Sequence, residues 1–287
     1  MFWNQFKTAL LLGALSGVLI ILGYAIGGSN GIYFALVFSL LMNFVTYFFS
    51  DKIVLGMYGA KPLDEEQYPH IYEMVQELTA EMQIPMSKLW LVENSMANAF
   101  ATGRNPKHAS VAVTTGILEI LDANELRGVL AHELGHVKNR DILIATVAAT
   151  IATAIAYLAN MVRWAAIFGG SSSDRERSGG GMIGALVAAI IMPIAAMMIQ
   201  MAISRSREYL ADETGANACR DPLALASALE RLHYSAERQN LAPESPAQTS
   251  AASLFIVFPF SGSGILNLFS THPPMEKRIA RLRAMAK

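Results

Sequence analysis

Two apolar runs near the N-terminus, Ala9 to Gly27 and Ile32 to Phe49, decide most of what this chain can fold into. Each is close to the ~20 residues a helix needs to cross a bilayer, and only an uncharged Gly/Ser/Asn turn separates them, so the pair predicts a transmembrane hairpin. The first run exceeds the core of a secretory signal, about 7 to 15 residues, and a second run follows almost at once. It therefore reads as a retained anchor. A second pair, Ile142 to Met161 and Met182 to Ile203, flanks the Gly/Ser-rich stretch Gly169 to Gly181. Arg163, Pro193 and Gln200 in this pair also suit helices packed against protein or bent around a site.

The runs explain a composition that is 53% hydrophobic and only 16% charged in 287 residues, unusual for a soluble globule. With four spans, Lys7, Lys52, Lys61, Lys138, Arg140, Arg205 and Arg207 all fall on one side, which the positive-inside rule makes cytoplasmic. Arg175 and Arg177 in the second connection oppose this and are partly balanced by Asp174 and Glu176. A net charge of −1, without basic runs interleaved with aromatics, gives no support to nucleic-acid binding. The lone Cys219 excludes an internal disulfide and a Cys-rich metal site.

Between the hairpins, Asp64 to Met82 predicts an amphipathic helix with Tyr68, Ile71, Val75 and Leu78 on one side. Leu89 to Val92 reads as a short strand, Asn94 to Gly103 as a turn, and Ala109 to Thr114 as a second strand. Such a strand either belongs to an ordinary core hairpin or offers an edge on which an extended peptide pairs through its backbone. Helices are expected from Ser204 to Cys219, from Asp221 and Pro222 to about Arg238, and from Pro274 to Met285. Leu241 to Gly264, rich in Pro, Ser and Gly, reads as a loop or lid.

The chemistry is concentrated at His132, Glu133 and His136, which spell H-E-L-G-H within an amphipathic run carrying Leu126, Val129, Leu130 and Leu134. On a helix, positions i and i+4 share a face, so both imidazoles reach one zinc ion while Glu133 sits beside the open position. Zinc lowers the pKa of coordinated water from about 15.7 toward about 7, and a neighbouring carboxylate can take the proton. A third protein ligand is required. His70, His108, His233 and His272 remain, and residues 137–141 (V-K-N-R-D) lack the later histidine of the metzincin pattern. Glu208 with Asp212 at i+4 fits best, Glu208 binding the metal and Asp212 holding the second nitrogen of a ligand histidine.

H-E-L-G-H at 132–136, S-R-S-R-E-Y-L-A-D at 204–212, N-A-F-A-T-G at 98–103 and T-H-P-P at 271–274 resemble the membrane zinc peptidases of the HtpX heat-shock type, relatives of the CAAX prenyl endopeptidases. The resemblance spans essentially the whole chain. It implies a mainly α integral membrane protein, with two transmembrane hairpins and a cytoplasmic gluzincin-like protease domain carrying a small β-sheet. The divisions expected are residues 1–50 (hairpin), 51–140 (first half of the protease domain), 141–203 (second hairpin) and 204–287 (second half). It further implies one zinc held by His132, His136 and Glu208, Glu133 as general base, a bacterial inner-membrane location, and misfolded or damaged membrane proteins as substrates.

Asn98 either hydrogen-bonds substrate or the developing oxyanion, or merely shapes a turn; His272 either approaches the same site or caps the last helix. Arg205 either pairs with Glu208 or Asp212 or is a positive flank at the membrane boundary. Competing readings are a membrane chaperone or scaffold with a structural zinc, and a prenyl-protein processing protease. A structural site has no use for Glu133.

Overall fold

The computed structural model describes residues 2–148, 150–151, 205–239, 255–256 and 273–286. The N-terminal runs form α1 (Phe2–Met57), broken at Gly28, whose φ of 58° and ψ of −141° lie outside the helical region. Only glycine adopts that conformation without strain. The Asn43 amide donates to Ser16 Oγ at 2.9 Å, so the two halves lie side by side about this break. From Gly28 to Met57 the helix is long and apolar enough to cross a membrane, and only 11% of its most apolar stretch is buried by protein. Tyr33, Phe34, Val37 and Leu40 are exposed along it. Residues 142–148 and 150–151 are helical. The remainder of the second apolar pair lies outside the described residues.

Beyond α1 come β1 (Lys61–Pro62), α2 (Pro69–Met82), β2 (Lys88–Val92), β3 (Ala99–Gly103), a short 3-10 turn (Pro106–His108), β4 (Ala109–Thr114), α3 (Thr115–Ile120) and α4 (Ala123–Asn139). After the second apolar region follow α5 (Arg205–Cys219), α6 (Pro222–Gln239) and α7 (Met275–Met285). Helix α2 starts five residues later than the sequence pattern suggests. Pro69 sits at its first turn, and Asp64 Oδ1 instead accepts from the Glu66 amide in the preceding turn.

The four strands form one mixed sheet in the order β1-β2-β4-β3, with β2 and β4 parallel and the other pairs antiparallel. One expectation is corrected and one open alternative is decided. The expected turn from Asn94 to Gly103 contains strand β3, because its short run of small residues carries little strand signal of its own and is fixed by pairing with β4. Consequently β4 is interior and β3 is the edge. One face of the sheet packs Ala99, Ala101, Val111 and Val113 into the main core with α2 and α4. The other meets the end of α1 through Phe100, Ala112, Val92, Val54 and Leu55.

Helix α4 begins with a capping box: Asp122 accepts from the Asn124 and Glu125 amides, and the Glu125 carboxylate accepts from the Asp122 amide. Its neighbours approach unusually closely because glycines line the contacts. A Cβ on Gly215 of α5 would lie 2.7 Å from the His132 nitrogen, and one on Gly128 of α4 would lie 2.9 Å from Leu225 N on α6. Gly135, inside the H-E-L-G-H motif, similarly faces Ala211 of α5. This contact sets the spacing of the site.

Candidate metal centre

His132 and His136 project from one face of α4, and Glu208 comes from the first turn of α5 across the glycine contact. Their potential ligand atoms all lie within 4.8 Å of one another. His132 Nε2 is 3.2 Å from His136 Nε2 and 3.8 Å from Glu208 Oε2, and His136 Nε2 is 3.6 Å from Glu208 Oε1. Tetrahedral ligands about 2.0–2.1 Å from a zinc ion stand roughly 3.3 Å apart. The spacing of the two histidines matches that geometry, and Glu208 presents a different oxygen to each ring, so that one atom from each of the three residues lies within 4.8 Å of the others.

The partners of the other ring nitrogens strengthen the fit. His132 Nδ1 lies 2.9 Å from Asp212 Oδ1, and His136 Nδ1 lies 3.2 Å from both oxygens of Asp141. A carboxylate at each Nδ1 assigns the proton there, so two Nε2 lone pairs face each other at 3.2 Å. Facing ring nitrogens need a proton or a metal ion between them, and a bound zinc would take the place of that proton. Around them stand four carboxyl groups, Glu133, Asp141, Glu208 and Asp212, against two guanidinium groups, Arg207 and Arg278. With all four carboxyls ionised and both histidines neutral, the form a bound metal requires, the cluster carries an excess of two negative charges that a divalent cation would neutralise.

Electrostatics separate the histidines. Burial pushes the His132 pKa down, with Asp212 opposing. Burial also disfavours charge on His136, but Asp141, Glu208 and Glu133 outweigh it and lift its pKa to about 10. Glu133 is raised to about 8, chiefly by burial, while Glu208 adds to the rise and His136, the Ala101 amide and Arg278 oppose it. A carboxyl whose pKa stands near neutrality is suited to carrying a proton.

Glu133 Oε2 accepts from the Ala101 amide of β3 at 2.9 Å. Asn98 O accepts from the Thr114 amide, which makes Phe100 and Thr102 the residues bonded to β4 and turns the backbone of Ala99, Ala101 and Gly103 toward the free edge. Asn98 itself is buried at the head of this strand. Its Oδ1 accepts from the Ile256 amide at 3.2 Å, and its Nδ2 donor has no hydrogen-bond partner among the described residues. Thus the edge strand headed by Asn98 is joined through Ala101 to Glu133 on the helix that carries His132 and His136.

Arg205 is exposed at the start of α5, and among the described residues Asp212 takes its cation from elsewhere. That cation is Arg278 of α7, which sequence reasoning missed. It is fully buried and grips Asp212 with two bonds, Nε to Oδ2 at 2.9 Å and Nη2 to Oδ1 at 2.7 Å, while Nη1 donates to the Ile256 carbonyl at 3.1 Å. The available signal was an arginine inside the stripe Met275, Arg278, Leu282, where helical spacing calls for an apolar residue. Asp141 was also missed; it stands where α4 ends and the next apolar helix begins. His272 lies outside the described residues. His70 and His108 are exposed.

A model of peptidase family M48 matches residues 65–286. The chain belongs to that family. Over 98% of its length it is 56% identical to the protease HtpX homolog of Syntrophobacter fumaroxidans, covering 99% of that protein. It is also 52% identical to the HtpX homolog of Aquifex aeolicus, over 96% of this chain and 90% of that one, and 50% identical to that of Thermococcus kodakarensis, over 98% and 96%. The crystal structure of S. mikatae Ste24p shares the fold, with a TM-score of 0.51 and 16% identity over 98% of this chain, which spans 66% of that one. As an M48 peptidase the chain is a membrane metalloprotease, a hydrolase of peptide bonds, and not a scaffold built on a structural ion.

Proposed function

We propose that this M48 peptidase is a zinc endopeptidase that degrades misfolded or damaged membrane proteins as part of stress-response quality control, with its site at the cytoplasmic face of a bacterial cell membrane. His132, His136 and Glu208 would hold one zinc ion, which supplies Lewis acidity for water activation and carbonyl polarisation. Asp212 and Asp141 fix the ligand histidines with Nε2 unprotonated, and Arg278 positions Asp212. Glu133 takes the proton of the attacking water and delivers it to the leaving amine, a role supported by its place on α4 next to His132 and against the Ala101 amide.

The free edge of β3 would accept an extended substrate as an added strand, aligned along the same backbone that contacts Glu133. Asn98 Nδ2, buried and without a partner among the described residues, would donate to a substrate carbonyl or its developing oxyanion. His272 is proposed for the same electrostatic task, and Arg205 as a positive flank at the membrane boundary. Two transmembrane hairpins would divide the protease domain into 51–140 and 204–287, consistent with a family match that runs from 65 to 286 across the second hairpin.

The observation that carries this reading is the convergence of His132, His136 and Glu208 on one point beside Glu133. Purified protein in detergent should cleave unfolded casein, lose that activity to a zinc chelator and regain it with added zinc. Cleavage that persists through complete metal removal would overturn the assignment.

A further inference from the structure

In the second half of α1 the apolar run closes with Tyr47, Phe48 and Phe49, and the charges of Asp51 and Lys52 follow within the same helix. Lys52 Nζ lies 5.4 Å from the Phe49 ring centroid. Arg104 lies 5.2 Å from the ring centroid of Phe48, yet it belongs to the β3–β4 connection, not to the helix. The Arg104 guanidinium of that hairpin therefore stands beside the Phe48 ring. A helix rises about 1.5 Å per residue, so Phe48 is roughly 4.5 Å deeper than Asp51. The headgroup layer on each side of the hydrocarbon is about 5 to 7 Å thick. If Asp51 and Lys52 mark the boundary, the hairpin tip lies within that layer.

The chemistry of the tip matches its depth. Residues 104–108 are Arg-Asn-Pro-Lys-His, with Lys107 and His108 exposed and no acidic residue among them. Among the described residues Arg104, Lys107 and Lys52 have no acid partner, whereas other basic residues of the domain, such as Lys61 and Arg127, do. The tip is also held in shape. Asn105 Oδ1 accepts from the Lys107 amide at 3.0 Å and contacts His108 Nδ1 at 2.9 Å, and Gly103, at φ 136°, leaves no room for a side chain beside His108.

We propose that Lys52, Arg104 and Lys107 form a seat for the phosphate of an anionic phospholipid, so that the hairpin rests on the membrane surface and fixes edge strand β3 there. Phe48 and Phe49 flank the seat from the membrane side, and stacked guanidinium or ammonium groups keep donors free for phosphate oxygens. Each basic residue at an anionic surface favours association about fivefold. Because Ala101 of the same strand contacts Glu133, a lipid on the seat would hold the site within reach of chain segments emerging from the bilayer. The proposal rests on α1 spanning the membrane and not on the identity of the substrate.

The test uses the full chain in nanodiscs, with His108→Cys carrying a bimane label in a Cys219→Ser background, and a headgroup-nitroxide lipid as quencher. Replacing a third of the phosphatidylcholine by phosphatidylglycerol should raise quenching at least twofold. Arg104→Glu with Lys107→Glu should abolish that rise, and Arg104→Lys with Lys107→Arg should keep it. Casein cleavage in detergent, measured on the same variants, should be unchanged and reports separately on the protease assignment. No quenching, or quenching that ignores both phosphatidylglycerol and the charge reversal, would overturn the lipid seat.

Discussion

Glu133 and Glu208 stand within the same cluster, yet their expected roles separate cleanly on substitution. Glu133→Gln removes the proton carrier while leaving all three candidate ligands, so purified protein should retain one zinc per chain and lose casein cleavage by at least 100-fold. Substantial chelator-sensitive activity in that variant would contradict the assignment. Glu208→Ala should instead lose the zinc, as measured by metal analysis after dialysis. Arg278 calls for a different readout, because its removal leaves the Asp212 carboxylate buried without its cation. Arg278→Met should destabilise the fold by about 3 kcal/mol or more, seen as a fall in Tm, and should weaken zinc binding about 10 to 100-fold through the loosened His132. An unchanged Tm and unchanged zinc affinity would show that Asp212 does not depend on it. The His and Glu positions were legible in the sequence because helical spacing alone puts i and i+4 on one face. Arg278 was obscured because nothing local links it to a carboxylate 66 residues earlier.

At the scale of elements, the α4–α5 crossing is the feature on which the site depends. Gly135 and Gly215 let the two helices approach until Glu208 and Asp212 reach the histidines, and a methyl group at 215 would meet the backbone of Ala131 and His132. Gly215→Ala is therefore expected to cost about 1 to 3 kcal/mol and to lower zinc content, measured by thermal denaturation and metal analysis together. Full stability with full zinc content would mean the helices can separate without disturbing the ligands. The helices themselves were visible from hydrophobic periodicity and capping residues. Strand β3 was not, since A-F-A-T-G resembles turn composition and becomes a strand only when β4 supplies hydrogen-bond partners. The same pairing makes β4 interior and β3 the edge, which decides the alternative the sequence left open and the strand on which a substrate would lie.

For the whole molecule, the end of α1 packs on β3 through Tyr58 and Phe100, with ring centroids 5.0 Å apart, so the protease domain is docked against its own membrane anchor. Thr102 of β3 also meets Thr146 of the second apolar region at 3.0 Å between hydroxyl oxygens. With four spans, reporters fused after Asp51, near Asn139 and at Lys287 should all be cytoplasmic, and one inserted at residues 28–30 should lie on the opposite side. A C-terminus on the far side would overturn that topology. By itself the sequence determined the first apolar pair, the helices of the catalytic half and the identity of the candidate ligands. The helices and the His132/His136 pair depend on local periodicity, which is written in neighbouring residues, whereas Glu208 was singled out by its i+4 pairing with Asp212 and the motif around it. Only the tertiary structure decided the edge strand, the partners Asp141 and Arg278, and the distance between α4 and α5. Each of those rests on groups far apart in sequence, brought together by burial and backbone pairing that no short window of residues encodes.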